Sequence, residues 1–169
     1  MPQSPDGLFM VRVAKALVVM SMALYLSLIA FGNITDYNTN FVFVQKVMRM
    51  EEVPATSAAA YRAILEPALH HAVYLFIIAI ETVAAVLLWW GGAGMLRRSR
   101  AAAAEFVEGK RPAVLGLLLV FLLGHVVFLS GAVEWFQMWM ASNFNAGTTA
   151  FQMFITALVA LIFVAMPDA

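Results

Sequence analysis

The stretch PAVLGLLLVFLLGHVVFLSGAVEW, residues 112–135, decides the fold of this chain. It has no charged residue before Glu134 and is rich in Leu, Val and Phe. A hydrocarbon layer about 30 Å thick is crossed by about 20 helical residues. A single segment satisfies its backbone hydrogen bonds in that layer only as a helix. The stretch therefore predicts a membrane-spanning helix.

Three further apolar runs have the same character, at residues 9–31, 69–93 and 149–166. The first run has a basic start, as signal peptides do. It is longer than the apolar part of a signal peptide, about 7–15 residues, and we expect it to be retained. Of all residues 63% are hydrophobic and 12% are charged, against about 45–50% and about 25% in soluble domains. The sequence predicts an all-α integral membrane four-helix bundle, one domain over residues 1–169.

Net charge and cysteine content exclude several classes of protein. The net charge is zero, which excludes a strongly basic nucleic-acid binder, so no nucleic-acid partner is expected. The chain has no cysteine, which excludes disulfides, thiolate catalysis and iron–sulfur clusters. The sequence also lacks the patterns of zinc proteases, serine hydrolases and phosphate-binding loops. We therefore expect a non-catalytic protein without a metal site.

Lysine and arginine residues set the expected orientation. The segment at residues 94–111 has five of them, whereas the segment between the third and fourth runs has none. Because cytoplasmic loops are enriched in these residues, residues 94–111 are expected to be cytoplasmic, with both chain ends on the same side. These five cations would also contact anionic lipid head groups of the bilayer. They are Arg97, Arg98, Arg100, Lys110 and Arg111.

The long segment at residues 33–65 is then an outer loop, and we expect it to contain a short helix. Apolar residues recur at helical spacing from Phe41 to Met48, with polar residues between them. This pattern is typical of an amphipathic helix lying on the membrane surface. A second helix, capped by Thr56 or Ser57, is expected to lead into the second span.

Glu81 and His125 lie near the middle of the second and third spans. A carboxylate at that depth is costly, so it should face the bundle interior and have a partner or be protonated. The two helices are antiparallel neighbours, which predicts that Glu81 and His125 meet, with Ser21 and Thr156 at similar depth. Such a polar layer is either a proton relay or head-group site, or an interhelical hydrogen bond that sets the register of the bundle.

Haem ligation is a further alternative for His125. Ligation by two histidines needs a second one at similar depth, but His70 and His71 lie near the outer end of their span. No haem is therefore expected within this chain alone, and no cofactor is predicted. A haem shared with a partner subunit, or a quinone, stays open.

Two segments on the expected outer side resemble the signatures of the DUF2165 family of predicted small membrane proteins. They are NITDYNTNFVFV at residues 33–44 and GAVEWFQMW at residues 131–139. Glu81 and the turn at residues 145–147 also fit, so the resemblance spans nearly the whole chain. It implies a four-span protein of the bacterial inner membrane and no particular activity. It also directs attention to an outer-face cluster of Asn33, Asp36, Tyr37, Asn40, Glu134, Trp135 and Trp139.

These observations favour one function and leave an alternative open. The small size, the missing catalytic patterns and the apolar, aromatic edge at residues 138–144 favour a non-catalytic accessory or structural subunit of a larger inner-membrane complex. Its partners would be other membrane subunits or further copies of itself. The alternative is a small proton-linked carrier, or a quinone- or haem-associated redox subunit, that uses Glu81 and His125.

Overall fold

The computed structural model describes residues 5–168, and within that range every regular element is a helix. The all-α prediction is therefore confirmed. The main helices are α1 (Pro5–Thr35), α2 (Tyr37–Met48), α3 (Pro67–Arg97), α4 (Ala103–Leu122) and α5 (Gly147–Ala165). Short 3-10 turns occur at Ala60–Arg62 and Met138–Met140.

Four helical segments are long and apolar enough to cross a membrane. They are Asp6–Thr35, Pro67–Arg97, Ala103–Trp135 and Gly147–Ala165. Each predicted span lies on one of these segments, so the predicted four-helix bundle is confirmed. The basic segment expected as a loop over 94–111 is much shorter in the structure, at residues 98–102. The cause is that α3 and α4 both extend beyond their apolar runs, since a helix can continue past the edge of the hydrocarbon.

The helix predicted in the first loop is present as α2. It begins directly after α1, with Asp36 between them in a non-helical conformation. Its inward face has Phe41, Val47 and Met48, which are buried against the rest of the bundle. The amphipathic pattern thus predicted the helix correctly, and its location on the membrane surface stays a prediction.

The second helix expected after Thr56 or Ser57 does not form. Residues 49–66 have only turns and one 3-10 turn, and the hydroxyl of Ser57 donates to Gln137 Oε1 at 2.9 Å. Instead α3 begins at Pro67, whose fixed φ suits the first helical position. The Glu66 side chain caps it by accepting a backbone hydrogen bond.

α4 continues without a break as a π-helix over Leu123–Trp135. Such helices are rare, usually last a single turn and are frequent at functional sites. This one packs closely on α5, because a Cβ added at Gly124 would lie 2.8 Å from Phe154 Cβ. The Ser130 hydroxyl donates to the His125 carbonyl at 2.9 Å within the same segment.

Small residues set the contact between α3 and α4. A Cβ added at Gly91 would lie 2.3 Å from the backbone nitrogen of Ala113. Further along the same interface, a Cβ at Gly109 would lie 3.1 Å from the carbonyl oxygen of Gly94. Close backbone approach at small residues is the usual source of packing between helices in lipid, where burial of apolar side chains gives little net gain.

Large apolar side chains cover the outside of the bundle. Phe31, Val86, Trp90 and Ile162, from three helices, are each more than half exposed. Contiguous apolar surface on this scale is rare on soluble monomers, whereas hydrocarbon solvates it readily. The exterior is that of an integral membrane protein.

A buried cluster of ionic groups joins the helices at the end of the bundle where the described chain begins and ends. This terminal ion cluster comprises Arg12, Lys15, Lys110 and Asp168, all nearly inaccessible to solvent. Lys15 Nζ lies 2.7 Å from Asp168 Oδ1, and Lys110 Nζ pairs with Asp168 Oδ2. Both lysines also donate to the carbonyl of Met166.

Arg12 completes the cluster through backbone carbonyls. Its guanidinium donates to the carbonyls of Ser99, Ala101 and Asp168, the shortest bond being 2.7 Å to Ala101. The four side chains therefore connect α1, the α3–α4 link, α4 and the segment after α5. A buried ion pair is strongly destabilising to break, because the partner left behind is an uncompensated charge.

We predict that Gly91→Ala destabilises the bundle by about 1–3 kcal/mol, because the new methyl group meets the Ala113 backbone and forces the helices apart. Gly32→Ala is the matched control, since nothing lies within 4 Å of its added Cβ. The control should be neutral or stabilising by up to about 1 kcal/mol. Thermal unfolding in mild detergent measures both, and equal effects of the two substitutions would contradict the packing described.

Asp168→Asn is expected to lower the free energy of unfolding by about 3–5 kcal/mol, because Lys15 and Lys110 then share no counter-charge. Glu108→Gln breaks the exposed pair with Arg111 and should cost only about 0–1 kcal/mol. Denaturant titration of both variants in detergent tests the difference. Indistinguishable midpoints would show that the cluster is not a stabilising feature.

Candidate functional site

An open cavity of about 350 Å³ lies beside α2 and is bordered by α1, α3, the π-helix and the start of α5. Its wall is mainly apolar, with Ile29, Phe43, Ile77 and Met153 among the lining residues. Four of the polar lining residues come from three helices: Asn33, Asn40, Tyr74 and Glu81. A mainly apolar cavity with a few polar groups from separate helices is typical of small-molecule sites.

Glu81 and Asn33 form the centre of this site. The Asn33 side-chain amide donates to Glu81 Oε2 at 2.7 Å, and the Glu81 residue is only 3% exposed. The expectation that a carboxylate in this span faces inward and has a partner is therefore met by Asn33. Glu81, which the sequence assigned to an intramembrane layer, and Asn33, which it assigned to an outer-face cluster, thus meet in one site.

Tyr74 extends this hydrogen-bonded group. Its hydroxyl donates to the Asn33 backbone carbonyl at 3.2 Å and lies 3.3 Å from Asn33 Oδ1. These contacts orient the Asn33 amide so that its nitrogen points to Glu81. Tyr74 was not among the site residues predicted from the sequence. It precedes Glu81 by about two helical turns and therefore lies on the same face of α3.

α2 is held against α3 by aromatic contacts beside the cavity. The rings of Phe41 and His71 stack at 4.0 Å, and the rings of Tyr37 and Tyr74 are 4.7 Å apart. The Tyr37 hydroxyl and His71 Nδ1 lie 2.8 Å apart, within hydrogen-bonding distance. Because α2 itself supplies Asn40 to the cavity wall, these contacts also position part of the site.

The four residues predicted to form one polar layer lie in three separate places. His125 packs between the rings of Phe121 and Phe154, at 5.4 and 5.1 Å, and no hydrogen bond joins it to Glu81 within residues 5–168. Ser21 and Thr156 each donate to a carbonyl of their own helix and line a separate groove between α1 and α5. Similar depth does not bring them together, because the side chains project from different faces of their helices.

The other outer-face residues lie away from the cavity. Asp36 occupies the N-cap position of α2 without a side-chain capping bond, and Glu134 is exposed. Trp135 and Trp139 are each about half exposed. The guanidinium of Arg62 lies 4.7 Å from the Trp135 ring, which is a cation–π contact between the segment before α3 and the end of the π-helix.

Glu52, in the segment after α2, forms hydrogen bonds with the loop that follows the π-helix. Its carboxylate accepts hydrogen bonds from the backbone amides of Ser142 and Asn143 and from the Asn143 side chain, at 2.7 to 2.9 Å. The bonds from Asn143 lower the pKa of the Glu52 carboxyl below its ordinary value. The contact is structural, since it joins two segments of the chain.

Most of the predicted lipid-contacting cations are exposed. Arg97, Arg98, Arg100 and Arg111 are accessible at the end of the bundle opposite α2. Lys110 differs, because it is buried in the terminal ion cluster and its charge is paired with Asp168. From the sequence Lys110 was predicted to be an exposed charge, and Asp168 was not predicted to be its partner. The signal in the sequence was that Asp168 is an isolated carboxylate after the last span, at the end of the bundle where three helices begin or end with cations.

The site has few groups for metal or redox chemistry. Within residues 5–168 no three His, Asp or Glu side chains are placed to hold a metal ion. His70 Nε2 lies 2.8 Å from the Ile64 carbonyl, so this ring is engaged by the loop before α3. What the cavity offers is a carboxylate, two amides and three hydroxyls in a mainly apolar wall, which suits binding of a polar or charged group.

Comparison with known proteins gives one match. A family model described as a predicted small integral membrane protein (DUF2165) matches residues 11–167. No curated protein and no solved structure matches the chain.

Proposed function

The chain belongs to the DUF2165 family of predicted small integral membrane proteins, and we propose that it is a non-catalytic accessory subunit that binds a small ligand beside Glu81. The observation that favours this function is the carboxylate of Glu81 in the wall of a mainly apolar cavity, with one oxygen bonded to Asn33 and, within residues 5–168, no hydrogen-bond partner for the other. Retaining a carboxylate in a membrane span is costly, so its presence there favours a role.

The dimensions of the cavity support ligand binding. About 350 Å³ lies within the range of small-molecule sites, about 300–1,000 Å³. The site is formed mostly by regular helices, which hold side chains more rigidly than loops do. The ligand class that fits is a small molecule with an apolar body and one polar or charged head group.

We propose that the protein resides in the bacterial inner membrane with both chain ends in the cytoplasm. The exposed arginines at residues 97–111 support this orientation, because positive residues accumulate on the cytoplasmic side. Each such charge near an anionic lipid surface contributes about 1 kcal/mol of attraction. The Glu81 cavity then opens in the half of the membrane that faces the periplasm.

Exposed tryptophans on the α2 side support contact with another membrane subunit or with a second copy. Trp135 and Trp139 lie close in sequence and are each about half exposed. Tryptophan is enriched in the central contacts of protein interfaces, where it contributes more than its share of binding energy.

We expect the tagged protein to copurify with a partner from native membranes in mild detergent. Trp139→Ser should reduce recovery of that partner severalfold, because it removes an exposed aromatic contact. Trp90→Ser replaces a comparably exposed tryptophan near the other end of the bundle. This variant should leave recovery of the partner unchanged. A protein that purifies alone in several detergents would argue against a subunit role. An absorbance scan of the same sample tests the haem alternative, and extraction tests quinone.

A proton-linked carrier is the second candidate, and the position of the Glu81 carboxylate in the wall of a cavity favours it. A carboxylate that exchanges protons with a cavity can couple proton movement to ligand movement. In this case Glu81 would act without His125, which packs among phenylalanines.

For the carrier, Glu81→Gln should fold normally and abolish proton entry into proteoliposomes, because the amide cannot exchange a proton. Glu134→Gln, at an exposed carboxylate, is the control and should behave as wild type. A pH-sensitive dye trapped inside the liposomes measures proton entry under an imposed membrane potential. If Glu81→Gln and wild type admit protons equally, the carrier is excluded and the accessory role remains.

A further inference from the structure

Resting on the proposal that the Glu81 cavity is a ligand site, we propose that its ligand is a lipophilic organic cation, an ammonium group attached to an apolar body. The lining residues, among those that the structure describes, include one carboxylate and no lysine, arginine or histidine. With Glu81 ionised, the cavity is therefore negative at one point and mainly apolar elsewhere. A ligand with the opposite charge at one end matches this distribution.

The hydrogen bonding of Glu81 leaves room for a charged partner. Asn33 Nδ2 bonds to Oε2, and within residues 5–168 Oε1 has no hydrogen-bond partner. A carboxylate has capacity for about four hydrogen bonds, so one amide satisfies it poorly. Because burial makes an uncompensated carboxylate costly, a cation at Oε1 is favoured over a neutral head group.

Aromatic rings complete the environment expected for an ammonium group. Tyr25, Phe43, Tyr74 and Phe128 all line the cavity and come from α1, α2, α3 and the π-helix. The faces of aromatic rings attract cations, and cages of such rings recognise quaternary ammonium groups. Residues from four separate helices thus supply rings around one carboxylate.

An inorganic cation fits the cavity less well. Calcium takes about 6–8 oxygen ligands, and magnesium takes six or retains several waters. Here Asn33 Oδ1 faces the Tyr74 hydroxyl, and apolar residues such as Ile77 and Met153 occupy much of the wall. The same apolar wall stabilises the body of an organic ligand by excluding water from it.

A pair of probes with the same shape tests the proposal. Benzyltrimethylammonium has a cationic head, and neopentylbenzene is its neutral counterpart with carbon in place of nitrogen. Saturation-transfer NMR of the full-length protein in lipid nanodiscs measures binding of each. We expect the ammonium probe to bind about tenfold or more tightly than the neutral probe, because only the cation pairs with the carboxylate.

Three variants distinguish the possible results. Glu81→Gln should lower affinity for the ammonium probe about tenfold or more and leave the neutral probe unchanged. Glu134→Gln is the matched control for loss of a carboxylate elsewhere. Ala150→Phe fills the cavity and should abolish binding of both probes. Thermal unfolding of each variant verifies that it is folded.

The outcomes separate this inference from the proposed function. If both probes bind equally, and only Ala150→Phe prevents binding, the cavity is a ligand site without preference for a cation, and this inference fails alone. If neither probe binds wild type, or if Ala150→Phe has no effect on either, the ligand site itself is refuted. If Glu81→Gln leaves the affinity for the ammonium probe unchanged, the inference that the ligand is a cation is also overturned.

Discussion

The structure depends on one constraint: within hydrocarbon, every polar group must find its partner inside the protein. The backbone meets this constraint by forming four long helices, which satisfy their own amides and carbonyls. The side chains meet it by pairing across helices. Asn33 partners Glu81 from a neighbouring helix, and Asp168 pairs with two lysines at the opposite end. Without these partners each group would destabilise the bundle.

The two ends of the bundle meet the constraint differently. At the end with Arg12 and Lys15, ionic groups and carbonyls fill the interior and fasten four segments together. Close contacts such as Gly91 against Ala113 hold α3 and α4 at short distance. At the α2 end a cavity lies between the helices. The proposed ligand site therefore lies at the end of the bundle opposite the terminal ion cluster.

α2 and the π-helix both border the cavity. α2 is fixed to α3 by the Phe41–His71 and Tyr37–Tyr74 ring contacts, and it supplies Asn40 to the cavity. The π-helix supplies Phe128 and packs on α5 at Gly124. Both are departures from a plain four-helix bundle, and both border the same site. Irregular elements in membrane proteins are tolerated where protein or a cavity surrounds them.

The sequence by itself determined that lipid surrounds the chain, that four helices span it, and that α2 exists, because hydropathy and helical periodicity depend only on nearby residues. It also identified Glu81 as a residue needing an inward partner, since a carboxylate in an apolar run is costly wherever it points. Only the tertiary structure decided that the partner is Asn33 rather than His125, and that Lys110 is buried with Asp168. Residue number gives depth along a helix, whereas rotation about its axis follows from packing against neighbours. That rotation is set by contacts such as Gly91 with Ala113, between residues distant in sequence.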